Sequence, residues 1–195
     1  MNIISDLTYI NIWNAFTKWC QDITELNNLI DIQQFCEMFY FSEKPYEGLT
    51  LKLSKSFLNR YGLLWDESNS SYDKNYNTKY GGGLANIQKL NCNSIAKALD
   101  TKTVLVQDGL TNLFHAIGDI LSSNENCLLD LGDLGSIYVY GKNVNQYPTK
   151  SKMEGNKKTT VKSVIEMRNR TEESEGGIIQ NERKVEEQKY KKDTE

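Results

Sequence analysis

Residues 128–144, LLDLGDLGSIYVYGKNV, decide how the chain is to be read. Leu129 and Leu131 alternate with polar neighbours, Gly132-Asp133-Leu134-Gly135 interrupts them, and Ile137, Tyr138, Val139 and Tyr140 resume the run. This pattern predicts two short antiparallel strands about a glycine corner. Upstream, Val106, Leu110, Leu113, Phe114, Ile117, Ile120 and Leu121 recur at spacings of three and four. They make one apolar stripe on a helix of about five turns over Thr103 to Leu121. Asn93 to Leu99 repeats the pattern with Ile95, Ala96 and Leu99, and Asn91 or Asn93 supplies its cap. The predicted order is helix, longer helix, strand, glycine corner, strand.

That order, with its Gly-x-Leu-Gly corner and aliphatic return strand, resembles the HU/IHF fold of bacterial DNA-bending proteins. More closely, LNCNSIAKAL, VQDGLTNLFHAIGDIL and LLDLGDLGSIYVYGKNV are similar to the second HU-like module of the eukaryotic coiled-coil domain-containing protein 81 family. The resemblance runs from Leu84 to about Tyr147.

The first third carries a second set of elements. Leu7, Ile10, Trp13, Phe16, Ile23 and Leu26 form a helical stripe, preceded by Ser5 or Asp6 as cap. From Leu29 to Phe41 the period changes: Ile30, Ile32, Phe35, Met38, Phe39 and Phe41 predict strand, turn, strand, with Gln33 and Gln34 at the corner. Pro45 and Gly48 punctuate a turn, and Leu49, Leu51 and Leu53 alternate as a third strand. Ser54 or Ser56 caps a short helix with Phe57, Leu58, Tyr61 and Leu63 on its apolar side, closed by Gly62. These elements resemble the first HU-like module of the same family, with IWNAFTKW at its opening helix and SFLNRYGL at its closing one. The corner departs from the pattern, since Gln34-Phe35-Cys36 stands where a Gly-Phe-Gly or Gly-Leu-Gly unit is expected.

The expected fold class is therefore α+β: two small HU/IHF-like modules, each with helices packed on a short antiparallel sheet, plus a polar C-terminal extension. Their bounds are 1–65 and 84–147. Residues 66–83, DESNSSYDKNYNTKYGGG, read as a flexible polar linker. The three glycines follow no strand, and the lysine and Ser/Thr of a phosphate-binding loop are absent. After Pro148, Lys, Glu, Asn, Thr and Arg dominate, with helical spacing at Val161, Val164 and Ile165. Residues 148–195 read as a charged extended or helical tail, either solvated or lying along a partner.

Charge and composition narrow the function. The chain has 195 residues and a net charge of −3. Residues 1–65 hold 5 basic and 7 acidic side chains, residues 84–147 hold 4 and 6, and residues 148–195 hold 12 and 10. A duplex-binding module normally carries a basic excess, because phosphate neutralisation supplies most of its affinity. No apolar run reaches the roughly 18 residues of a membrane span, and no basic-then-apolar leader opens the chain, so a cytosolic location is expected. Cys20, Cys36, Cys92 and Cys127 form no Cys-x-x-Cys pair, and with one histidine, His115, they read as reduced, buried thiols and not as metal ligands. No metal or cofactor is expected.

No catalytic constellation emerges either. His115 falls off the apolar stripe of its helix, at a rim, and turn chemistry accounts for Asp130 and Asp133 beside the glycine corner. DNA bending, which the fold resemblance suggests as the alternative function, needs a long basic ribbon and an inserting proline. Only Gly141-Lys142-Asn143 separates Tyr140 from Val144, and the loop SEKPYEG carries Glu43 and Glu47 beside Lys44 and Pro45.

The expectation is a non-enzymatic structural or interaction protein. The resemblance implies a centrosomal or ciliary setting, with docking on tubulin or neighbouring axonemal proteins of doublet microtubules. Trp13, Trp19, Phe35, Phe39, Tyr40, Tyr61 and Trp65 are more aromatic surface than so small a module readily hides, and exposed aromatics anchor interfaces. Trp13 and Phe57 are expected in the core. Trp19, Tyr40 and Tyr138 are candidate partner contacts, joined in the tail by Arg168, Arg170, Arg183 and Lys184.

Overall fold

The computed structural model describes residues 6–26, 28–41, 48–66, 75–76, 79–80, 86–123, 126–147 and 158–160. Helix α1 (Asp6–Glu25) buries Tyr9, Ile12, Trp13, Phe16 and Cys20. Of the stripe its spacing predicts only Trp13 and Phe16 are among them, while Ile10 and Ile23 are partly buried and Leu26 is exposed. Strands β1 (Leu29–Ile32), β2 (Cys36–Phe41) and β3 (Gly48–Leu53) form an antiparallel meander. Helix α2 (Lys55–Tyr61) starts at Ser54, whose Oγ accepts from the Phe57 N–H at 3.2 Å, and ends at Gly62 with φ 63°. A glycine suits that left-handed position because a Cβ is penalised there.

Two short strands follow, β4 (Leu64–Trp65) and β5 (Ile87–Lys89). Helix α3 (Cys92–Ala98) is capped by Asn91, whose Oδ1 accepts from the Ser94 N–H. The long helix α4 (Thr103–Ser123) buries Val106, Leu110, Leu113, Phe114, Ile117 and Leu121. Strand β6 (Asn126–Asp130) leads into a tight turn at Gly132–Leu134, where both Gly132 and Gly135 have positive φ and Asp130 Oδ1 accepts from the Gly132 N–H. Strands β7 (Ser136–Tyr140) and β8 (Asn143–Tyr147) then form a hairpin whose Gly141-Lys142 turn has Gly141 at φ 60°. Strand β9 (Lys158–Thr160) completes the described chain.

The strands assemble into two sheets, ordered β3-β2-β1-β5 and β4-β8-β7-β6-β9. Each half of the chain lends an edge strand to the other. β4 from the N-terminal half runs parallel to β8, with the Leu64 N–H donating to the Lys142 carbonyl at 2.8 Å and the Asp66 N–H to the Val144 carbonyl at 2.9 Å. β5 from the C-terminal half runs parallel to β1, and the Leu29 N–H donates to the Asn86 carbonyl at 3.0 Å. Gln146 adds a third tie: its Oε1 accepts from the Leu51 N–H at 2.6 Å and its Nε2 donates to the Leu49 carbonyl at 2.8 Å. Its side-chain amide thus stands in for a neighbouring strand along the open edge of β3.

One hydrophobic core serves both halves. Phe35, in the turn between β1 and β2, stacks on Phe114 of α4 with centroids 4.5 Å apart and planes 10° apart, and Phe16 meets Phe114 edge-on at 5.7 Å. Burying each such ring contributes about 1.5–3 kcal/mol. Helix α4 approaches closely enough to require two glycines. A Cβ at Gly109 would lie 2.6 Å from Ile12 Cδ1, and one at Gly118 would overlap the Tyr61 ring.

These observations correct several expectations. The sheets are mixed, with parallel edge strands, where short antiparallel ones were expected. The C-terminal half has three consecutive strands where two were expected, β8 being the third. Residues 66–83 are not a wholly free linker: Tyr76 and Tyr80 pack edge-on against Phe39 of β2 at 5.9 and 5.6 Å, and Asn75 is buried beside Thr50. Of the tail, residues 158–160 form a strand. The helical spacing from Val161 onward, the Ser5 cap and the loop at residues 42–47 lie outside the described residues.

Candidate interaction surface

In the second sheet, residues directly opposite one another across a strand pair share a face. The register therefore puts Leu64, Asn143, Tyr140 and Asn126 in one row and Asn145, Tyr138 and Leu128 in the next. The first row is exposed, with Leu64 at 60% and Tyr140 at 65%, and the second is half-buried. The intervening residues Val144, Val139 and Cys127 point into the core. The result is an outward face bearing phenols, amides and two leucines; the first row holds no carboxylate or cationic group, and in the second Lys158 falls opposite Leu128. The alternation in SIYVYGKNVNQY holds the signal for this face; Leu64 joins it through a two-residue strand too short to show a period.

The other candidate contacts lie elsewhere. Trp19 is half-buried on α1, against the core. Tyr40 is half-buried on β2, opposite Leu49, and its carbonyl accepts from Lys79 Nζ. Trp19, Tyr40 and Tyr138 thus occupy three separate elements. Arg168, Arg170, Arg183 and Lys184 lie outside the described residues. Phe35 and Phe39 are fully buried, Trp13 nearly so, and Tyr61 and Trp65 are partly buried against the core. The aromatic surplus therefore closes the seam between the halves and the outside of the first sheet.

Lys79 lies over Phe39 and Tyr80, 5.7 and 5.5 Å from the ring centroids. Burial pulls its ammonium below the usual lysine range. It also pushes up the Tyr80 phenol, an effect the neighbouring Tyr76 reinforces.

His115 sits at the rim, as its spacing implies, with Nδ1 2.7 Å from Tyr61 Oη. Burial, and then the Asp119 carboxylate, raise the Tyr61 phenol. The notch beside them, between Arg60, Gln34 and Thr111, has about 10 Å³ of free space. That is room for one water, not for a substrate. A larger cleft of about 360 Å³ opens between the halves, with Ile32, Leu90, Leu110 and Phe114 among its apolar lining and Gln33, Gln34, Gln107, Asp31 and Lys89 among its polar lining.

Cys20 and Cys36 are buried in the core, where desolvation holds both thiols well above their ordinary range. Cys127 is buried and Cys92 half-buried, and all four are free thiols. Among the described residues, no three His, Cys, Asp or Glu side chains gather in a way that could hold a metal ion. No described helix is long and apolar enough to cross a membrane.

No curated protein matches the chain. Helix, longer helix, strand, glycine corner and strand nevertheless follow one another in its C-terminal half in the expected order. Residues 86–146 match the family model described as CCDC81 eukaryotic HU domain 2, and over that segment the chain is similar to a CCDC81 HU domain.

Proposed function

We propose that the chain is a non-enzymatic structural protein of the cilium, a component of axonemal doublet microtubules or of the basal body or centrosome, that docks on tubulin or on neighbouring ciliary proteins. The observation that carries this reading is the uncharged outermost row of the second sheet, where Leu64 and Tyr140 stand exposed beside Asn143 and Asn126. Apolar and phenolic groups on a rigid sheet suit contact with another protein, where such side chains anchor interfaces. The charged tail, with Arg168, Arg170, Arg183 and Lys184, would extend the contact along an acidic lattice. HU domains are not an enzyme family, and neither the Tyr61–His115 notch nor the inter-half cleft assembles a nucleophile, base and oxyanion site.

The test is localisation of a tagged copy together with co-sedimentation with isolated doublet microtubules. Binding that resists moderate salt, with axonemal or basal-body localisation, is the expected result. The alternative, an HU-like DNA-binding or architectural protein, is favoured by the family match itself. Against it stands the two-residue Gly141-Lys142 turn, which offers no arm to follow a groove. A salt-sensitive gel shift on duplex DNA and nuclear localisation would decide for that alternative.

A further inference from the structure

β9 is a strand of three residues drawn from the tail, and it pairs in parallel with β6 alone: Leu128 opposite Lys158, Leu129 opposite Thr159, Asp130 opposite Thr160. β6 itself is five residues long, and the described pairing engages its last three, Leu128 to Asp130. Parallel pairing is the weaker kind, and an open strand edge is a template for any extended chain that reaches it. The β6 edge is therefore a main-chain binding site already filled by a short segment of the same polypeptide. From this we infer that the outer edge of β6 is a strand-accepting interface, held in cis by residues 158–160, whose partner is an extended segment of another protein that displaces β9 and pairs parallel to β6.

The seated segment defines the chemistry the edge accepts. Its Lys-Thr-Thr sequence combines β-branched residues with an edge-compatible lysine. Strand addition takes its affinity from the backbone and its selectivity from alternate side chains. The inference rests on the interaction reading above and names one surface for it. A covalently linked competitor has a high effective concentration, so a partner gains entry only when the cis strand lets go.

The test uses the full chain carrying Lys158→Pro and Thr159→Pro. Of two successive residues in a strand, one turns its N–H toward the neighbour, so the pair of prolines removes a ladder donor whichever it is. The probe is a fluorescent peptide of residues 155–163, with a control peptide that bears the same prolines and one added lysine to keep the charge equal. The substituted chain is expected to bind the probe at least tenfold more tightly than the unsubstituted one and to ignore the control. Its Leu128–Asp130 amides should exchange faster and slow again with the probe bound. Failure to bind, equal binding of the control, or unchanged exchange overturns the inference.

If the prolines compromise folding, a chain with a protease site inserted between Met153 and Glu154 is folded first and cut afterwards. Exchange of its tail strand for the probe supports the inference, and exclusion of the probe refutes it. Both assays read peptide entry in vitro, so they stand or fall independently of co-sedimentation with doublets.

Discussion

Gly118 shows how much one side chain can decide, because the Tyr61 ring occupies the space its Cβ would need. Gly118→Ala is expected to cost about 1–3 kcal/mol, the usual penalty of forcing extra volume into a packed site, and to break the Tyr61–His115 hydrogen bond; urea unfolding and the His115 imidazole NMR signals would report both. Gln146 offers a sharper case, since it donates to one backbone group of β3 and accepts from another. Gln146→Glu leaves a carboxylate facing the Leu49 carbonyl at neutral pH, whereas the protonated acid can still donate. The folded state then holds that proton more tightly than the unfolded state. Stability relative to the parent should be best below the ordinary glutamate pKa of about 4.3 and fall as pH rises through the raised folded value, as parallel denaturation series at acid and neutral pH would show. The buried thiols of Cys20 and Cys36 give a second pH dependence of the same sign. Above about pH 8.5 the unfolded chain releases thiol protons that the folded chain keeps, so stability should fall with alkalinity, and more gently in a Cys20→Ala/Cys36→Ala chain. At this scale the sequence was informative where chemistry is local: the Ser54 and Asn91 caps, the Gly62 stop and the turn role of Asp130 follow from residue type. The two glycines of α4 carried a signal that stripe-reading passes over, since an isolated glycine in a helical pattern often marks a close neighbour.

At the level of elements, periodicity exposes what is long. The stripe of α4 and the strands β2, β3, β6 and β7 read correctly because each spans enough residues to show a period. In α1 the helix was legible but its buried face was not, since Tyr9, Ile12 and Cys20 take the place of Ile10, Ile23 and Leu26. β4 has two residues and β5 three. No pattern can declare strands so short, and their partners lie far away in sequence. The stretch 66–83 misled for a different reason. Tyr72, Tyr76 and Tyr80 recur every fourth position, but scattered among Asn, Ser and Asp they pass for polar filler. Tyr76→Ala/Tyr80→Ala is expected to uncover Phe39 and to destabilise the first sheet, measurable as faster amide exchange in β2 and β3 than in α4. For β4, Leu64→Pro removes the N–H that donates to Lys142 and should cost about 1–3 kcal/mol; Leu64→Thr, which keeps the donor, should cost far less, and the difference between their denaturant midpoints isolates the backbone bond.

Over the whole molecule, the shared core and reciprocal edge strands predict that residues 1–147 unfold as one unit, although two separate modules were expected of them. Tryptophan fluorescence, which reports Trp13, Trp19 and Trp65, and far-ultraviolet circular dichroism should give coincident transitions. Residues 1–65 or 84–147 expressed alone should melt poorly or not at all, since each would leave one side of the Phe35–Phe114 stack bare. The sequence announced the aromatic surplus but not its destination, because whether a ring faces solvent or a neighbouring half is settled only by tertiary assembly. That seam has a consequence for biosynthesis. Phe35 leaves the ribosome long before Phe114 is translated, and at about 5–20 residues per second the nascent N-terminal half waits several seconds with its sticky flank unprotected. Chaperone engagement should peak in that interval and end once the long second-half helix has emerged.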